Sequence, residues 1–230
     1  MKTKNNCDLN SCYLCSHCLP AWIPAIAGNR QVLHLTKGEI LFREDEPVTG
    51  MYFVYKGLIK VHKHWGADKE LILRFAKSGD IVGHRGLGSG NIYPISATAL
   101  EPVSVCFVSL DFFNDSLKVN PFLIRNLLNF FAEELQSSEQ RMRDLVHMPV
   151  KGRIVQALLS LQEKFGVTET GALKIELSRQ DFSSYIGTTY ETTFRMLNEL
   201  AAESVIGFKK KEIVIPDVNK LRTYFDSPMS

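Results

Sequence analysis

The chain lacks any long apolar run. Nothing in its 230 residues approaches the ~18 consecutive apolar positions that a membrane helix needs. It also lacks a secretory pattern: basic Met1-Lys2-Thr3-Lys4 is followed by polar Asn5-Asn6-Cys7-Asp8, where an apolar segment would stand. These absences lead to the expectation of a cytoplasmic protein with no membrane partner. An excess of either charge is missing too. The net charge is +2, and residues 149–230 hold eleven Lys/Arg against ten Asp/Glu. Charge alone therefore does not point to nucleic acid. Cysteine is scarce and odd in number, five in all, which does not suit a secreted disulfide framework. His34, His62, His64, His84 and His147 are scattered, with no grouping around a nucleophile, and read as surface or satisfied core residues. No enzyme is expected.

What is present is concentrated at the two ends. Cys7, Cys12, Cys15 and Cys18 fall within the first eighteen residues, and Cys106 stands alone downstream. A dense thiolate set with one distant thiol can ligate a metal or an iron–sulfur cluster and tie an arm to a folded body. A hydrophobic share of 45% and a charged share of 23% are those of a globular chain with real cores.

Residues 1–28 form the cysteine-rich arm. Over 29–117 short β-rich runs alternate with turn signals, and an antiparallel barrel or jelly roll is the natural reading. Met51–Tyr55 and Leu58–Val61 flank Lys56-Gly57, a tight hairpin signal. Val103, Val105 and Phe107 share one strand face, and Cys106 lies on the opposite one with Ser104 and Val108. A lone strand cysteine is usually a small buried hydrophobe; its parity here leaves the ligand reading open beside that one. Residues 118–148 read as a helix. In it Ile124, Leu128, Phe131, Leu135, Ser138, Met142 and Leu145 recur at alternating spacings of four and three. Such a stripe suits a helix packed on its own barrel, but the 3.5-residue period favours a homodimer seam. Glu133, Glu134, Glu139, Arg141 and Arg143 flank it.

Residues 149–230 form a third unit. Val150–Phe165 is helical by pattern. Ser178-Arg179-Gln180-Asp181 has the form of a capping box opening a short helix that Gly187 ends. Thr188-Thr189-Tyr190-Glu191 repeats the pattern and opens a second helix to about Glu203. Two short helices joined at a glycine make a helix-turn-helix, and Val205–Ile215 reads as a β-hairpin wing. Glu191 and Arg195, one turn apart in the second helix, could accept from cytosine and grip guanine in a major groove. They could equally be an ordinary i,i+4 ion pair. The candidate DNA contacts are Ser178, Arg179, Thr189, Tyr190, Glu191, Phe194 and Arg195, with Lys209 and Lys210 of the wing.

Barrel, long helix and winged helix-turn-helix in this order resemble the Crp/Fnr family of bacterial transcription regulators, along essentially the whole chain. Gly83–Leu100 (GHRGLGSGNIYPISATAL), the following Glu101–Cys106, and the arm cysteines before Leu19-Pro20 look most like the oxygen-sensing Fnr branch. The resemblance implies an α+β fold and a homodimer on an inverted-repeat operator, with RNA polymerase as partner. It also implies a [4Fe–4S] cluster on Cys12, Cys15, Cys18 and Cys106, with Cys7 as the alternative arm ligand. The Cys12-x2-Cys15-x2-Cys18 spacing is shorter than the branch's usual arm and closer to ferredoxin spacing. Phe194 stands where the branch usually has serine. Family members that bind cAMP hold its phosphate with an arginine before a Ser-Ala pair and its ribose with a glutamate after a glycine. Here Ile95 precedes Ser96-Ala97 and His84 follows Gly83, so cAMP is not expected. A zinc site on the arm with His17, a small-molecule effector in the barrel, or a redox pair at Cys12-Tyr13-Leu14-Cys15, are the other readings. The redox pair lacks the strand-to-helix context such enzymes use.

Overall fold

A computed structural model describes residues 12–66, 69–210 and 212–226; Cys7 lies outside the described residues. The chain divides into two compact units, one reaching to Leu135 and one starting at Gln136.

Among the described residues, the first unit opens with two short helices, α1 (Tyr13–His17) and α2 (Ile23–Asn29). Eight strands follow: β1 (Gln31–Leu35), β2 (Ile40–Phe42), β3 (Gly50–Lys56), β4 (Ile59–Trp65), β5 (Lys69–Ala76), β6 (Ile81–Val82), β7 (Ser96–Ala99) and β8 (Val103–Ser109). They form two four-stranded antiparallel sheets, ordered β1-β8-β3-β6 and β2-β7-β4-β5. Between the sheets lies a core of Phe42, Tyr52, Val54, Ile59, Val61, Tyr93, Val103 and Val105. Each such side chain contributes roughly 1.5–3 kcal/mol relative to exposure.

The expected hairpin at Lys56-Gly57 does not form. β3 bonds to β8 and β6, whereas β4 bonds to β5 and β7. The turn instead carries the chain from one sheet to the other. Gly57 has a φ of +96°, and a Cβ there would lie 2.6 Å from the Pro102 carbonyl oxygen, so glycine is required. Alternation within each strand tells which residues share a face, but not which strand lies alongside.

β8 is buried on both faces. Val103 and Val105 enter the inter-sheet core, while Cys106 and Val108 enter a second apolar cluster outside it. After β8 the chain forms α3 (Leu110–Val119), capped by Ser109 Oγ accepting from Phe112 N–H. The sequence pattern did not separate this helix. Asn120 breaks it, and α4 (Pro121–His147) starts with Pro121 at its first position, where the missing N–H costs nothing.

The second unit holds the end of α4, then α5 (Val150–Phe165), α6 (Arg179–Ile186), α7 (Tyr190–Ala202), β9 (Gly207–Lys209), β10 (Glu212–Val214) and α8 (Val218–Asp226). α5 buries Ile154, Val155, Leu158 and Leu161. β9 and β10 pair as the wing, and α8 had no counterpart in the sequence reading.

Candidate functional site

α1 is a single helical turn, too short to stand alone. Cys12 is its N-cap and Cys18 its C-cap, and the three-residue spacing of Cys12 and Cys15 puts them on one side. Cys12, Leu14, Cys15 and Cys106 are all buried in one apolar cluster with Met51, Phe53, Phe113, Leu123 and Leu127, and half-buried Cys18 packs against its edge. Burial, with Cys12 nearby, pushes the Cys18 thiol up to about 11. The arm is pinned where α3 meets α4. Leu19 N–H donates to Asn120 Oδ1 at 2.7 Å, and Trp22 Nε1–H donates to Ser116 Oγ at 3.0 Å. Asn120 and Ser116 are themselves fully buried. No sequence signal marked these two anchors, since a lone Asn or Ser near a helix end reads first as a cap.

Two neighbouring faces of α4 differ. Leu123 and Leu127 join the cysteine cluster. Ile124, Leu128, Leu135 and Met142 are exposed, Leu128 by 64%. Ser138 is exposed too, while Phe131 and Leu145 are half-buried. Glu134 is not a solvated flank charge. Arg85 donates to it at 2.8 Å, with Arg74 and His84 within 3.9 and 3.8 Å. Burial alone would raise its carboxyl, but His84 and the two arginines hold it near 2. His84 is 1% exposed, with no hydrogen bond to either ring nitrogen and its ring edge-on to Phe130 and Phe131. Burial pushes it down to about 4, so it is a buried neutral imidazole rather than a satisfied core histidine.

Aromatic rings pack inside the barrel, with Phe42 stacked on Tyr93 at 4.0 Å. Ile95 is buried in it. Ser96 Oγ accepts from Glu44 N–H at 2.9 Å.

In the second unit, Ser178 Oγ accepts from Asp181 N–H and caps α6, and Gly187 ends it at φ +76°. The cap of α7 is Thr189, accepting from Thr192 N–H, one residue later than the Thr188–Glu191 pattern suggested. Arg153 donates to the carbonyls of Ile186 and Gly187, and Arg141 to that of Tyr185. These two arginines hold the helix-turn-helix bend, and Arg141 is thus no free flank charge. α7 buries Thr193, Leu197 and Leu200. Its other face exposes Tyr190, Glu191, Phe194 and Arg195, and Ser178, Thr189, Lys209 and Lys210 are exposed as well. Tyr190 and Phe194 stack with rings 6° from parallel. Arg179 is half-buried, its guanidinium 5.1 Å from the Phe208 ring on the wing, a cation–π contact that no spacing in the sequence announced.

A family profile described as a cyclic nucleotide-binding domain matches residues 32–120, and one described as a Crp-like helix-turn-helix domain matches residues 152–224. The chain belongs to the Crp/Fnr family. This regulator is 25% identical over 204 residues (88% of this chain, 91% of the relative) to a CRP-like cAMP-activated global transcriptional regulator of Mycobacterium tuberculosis. It is 29% identical over 185 residues (80% and 75%) to the transcriptional activator protein anr of Pseudomonas aeruginosa. The structure of FixK2 from Bradyrhizobium japonicum superposes with a TM-score of 0.76 at 26% identity, covering 87% of this chain and 99% of that one. The regulator is a DNA-binding transcription factor. Among the described residues no helix is long and apolar enough to cross a membrane.

Proposed function

We propose that the regulator senses its signal through a [4Fe–4S] cluster on Cys12, Cys15, Cys18 and Cys106. The observation that carries this reading is the meeting of three arm cysteines with one strand cysteine at a single apolar cluster. Soft sulfur donors in that number suit iron–sulfur or zinc. Buried thiols stay protonated unless a metal's positive charge deprotonates its ligands, and four sulfurs at one cluster supply the ligand count. The donor set therefore fits. When bound, the cluster supplies an oxidisable centre sensitive to oxygen or nitrosative stress. The chain's own residues transmit its presence: Leu14 and Cys15 share a cluster with Leu123 and Leu127 at the start of α4, and Asn120 holds the arm beside them.

On this reading, Ile124, Leu128, Phe131, Leu135, Ser138, Met142 and Leu145 form a homodimer seam. The exposure of Ile124, Leu128, Leu135 and Met142 on α4 supports it, because large apolar patches on a single chain mark interaction surfaces. The dimer then offers two α7 helices to an inverted repeat with half-sites about one helical turn apart. Glu191 and Arg195 read base edges, Phe194 packs on a thymine methyl, and Ser178, Arg179, Thr189, Tyr190, Lys209 and Lys210 position the backbone. RNA polymerase is the partner through which the bound regulator acts. The barrel serves as scaffold: Ile95 stands where a phosphate would need a cation, and Arg85 is engaged by Glu134. Anaerobic reconstitution followed by iron and sulfide assay and a visible spectrum tests the cluster. Colourless, zinc-loaded protein would overturn it. Addition of cAMP is expected to leave DNA affinity unchanged.

A further inference from the structure

Folding gathers two of the scattered histidines. His62 and His64 are two apart on β4 and so share a face, and Glu70 on β5 pairs directly with His64. His62 Nδ1 lies 3.0 Å from Glu70 Oε2, and His64 Nε2 lies 3.8 Å from the same oxygen. The ligand atoms of all three lie within 4.8 Å of one another. Metal bonds of about 2.0–2.2 Å at tetrahedral angles set donor atoms roughly 3.3 Å apart, so a small turn of the His64 ring closes the set.

The supporting contacts are those of a ligand set. His62 is 3% exposed, yet its Nδ1 has no hydrogen-bonding geometry to any partner, an arrangement that costs stability in a protein interior. Its Nε2 lies 2.8 Å from Thr98 Oγ1 on β7. Donating Nε2–H to that oxygen leaves the Nδ1 lone pair aimed at Glu70, as ligating histidines are commonly fixed. Lys60 Nζ donates to Glu70 Oε1 at 2.8 Å and leaves Oε2 facing the imidazoles. Half-exposed His64 gives a way in.

We propose that His62 Nδ1, His64 Nε2 and Glu70 Oε2 form a three-ligand site for a divalent zinc-class cation, with a fourth position open to water. The Lys60 ammonium beside the carboxylate weakens it by like-charge repulsion, which makes it an exchangeable site. It stands apart from the cysteine cluster and independent of that reading.

The test is titration of metal-free, tag-free full-length protein with Co2+ under anaerobic conditions, then displacement by Zn2+. Cobalt on thiolates gives intense near-ultraviolet charge-transfer bands, whereas cobalt on imidazole and carboxylate gives only weak visible bands. One equivalent per chain of the weak-band kind is expected. His64→Ala and Glu70→Gln should weaken it at least tenfold, and Thr98→Val by about tenfold, while Cys106→Ser leaves it in place. His64→Ala alters a half-exposed side chain, and circular dichroism checks its fold, with Glu70→Gln as the second variant. Unchanged weak-band affinity in folded His64→Ala, or cobalt bound to thiolate alone in wild type, would overturn the proposal.

Discussion

On one face of β8, Val103 and Val105 enter a core already filled by Phe42, Tyr52 and Tyr93. On the other, Cys106 and Val108 enter a cluster shared with Cys12, Leu14 and Cys15. Successive residues of one strand thus serve two environments. The inner one has aromatic packing and contributes stability. The outer one has sulfur donors, and its closure depends on an arm helix of five residues. Aromatic packing thus lies on the inner side of the sheet, and the cysteines lie on its outer side.

Substitutions on the two faces should therefore fail differently. Cys106→Ser should abolish the visible absorption of reconstituted protein while costing metal-free protein only about 1–3 kcal/mol for the buried hydroxyl. Phe42→Ala should cost about 3–5 kcal/mol of stability by cavity formation yet leave the cluster absorption of the folded fraction. Paired denaturation curves and spectra check both, and an intact spectrum in Cys106→Ser would sink the four-cysteine assignment.

α7 repeats the contrast between a buried and a chemically active face. Arg195→Ala, on the exposed face, should cost about 1–3 kcal/mol in DNA binding and relax discrimination at one guanine per half-site, with folding stability unchanged. Binding-site selection from random DNA measures the loss of discrimination. It also shows whether Phe194 shifts the outer bases of the half-site.

His84 makes the contrast sensitive to pH. Unfolded, it titrates near 6.5, and folded at about 4. Between those values the unfolded chain binds more protons, so stability falls as pH drops from 6.5 toward 4 and levels below. About 2 kcal/mol should be lost between pH 7 and 5, and His84→Leu should flatten that slope. Thermal melts of metal-free protein across the range decide it. Below pH 4.5, Glu134, held near 2, adds its own loss in the variant as well.

The smallest effect is expected on the exposed face of α4. On the proposed seam, small, neutral Ser138 is expected to let cluster-free protein dimerise. Ser138→Asp should weaken the dimer by about 1 kcal/mol, a surface charge effect that salt screens. Sedimentation at micromolar concentration compares the two, and a monomeric wild type would show that the cluster, rather than the seam, controls assembly.

The sequence alone determined the parts whose causes are local. The spans of α5 and α6, and α7 to within a residue at its end, follow from caps, apolar periodicity and Gly187. The side of β8 on which Cys106 lies follows from the period of two. Tertiary structure decided what depends on partners far along the chain. Apolar alternation in β3 and β4 is satisfied by any neighbouring strand, so their separation into two sheets was not legible. Asn120 and Ser116 gain their role only when the arm reaches them. Arg141 and Glu134 look like surface charges until Tyr185 and Arg85 are brought beside them. His62 and His64 read as scattered in the sequence; β4 gives them a shared face, and the β4–β5 register sets Glu70 against them. Spacing within one element is set by backbone geometry, whereas the meeting of two elements is set by which surfaces bury most against each other.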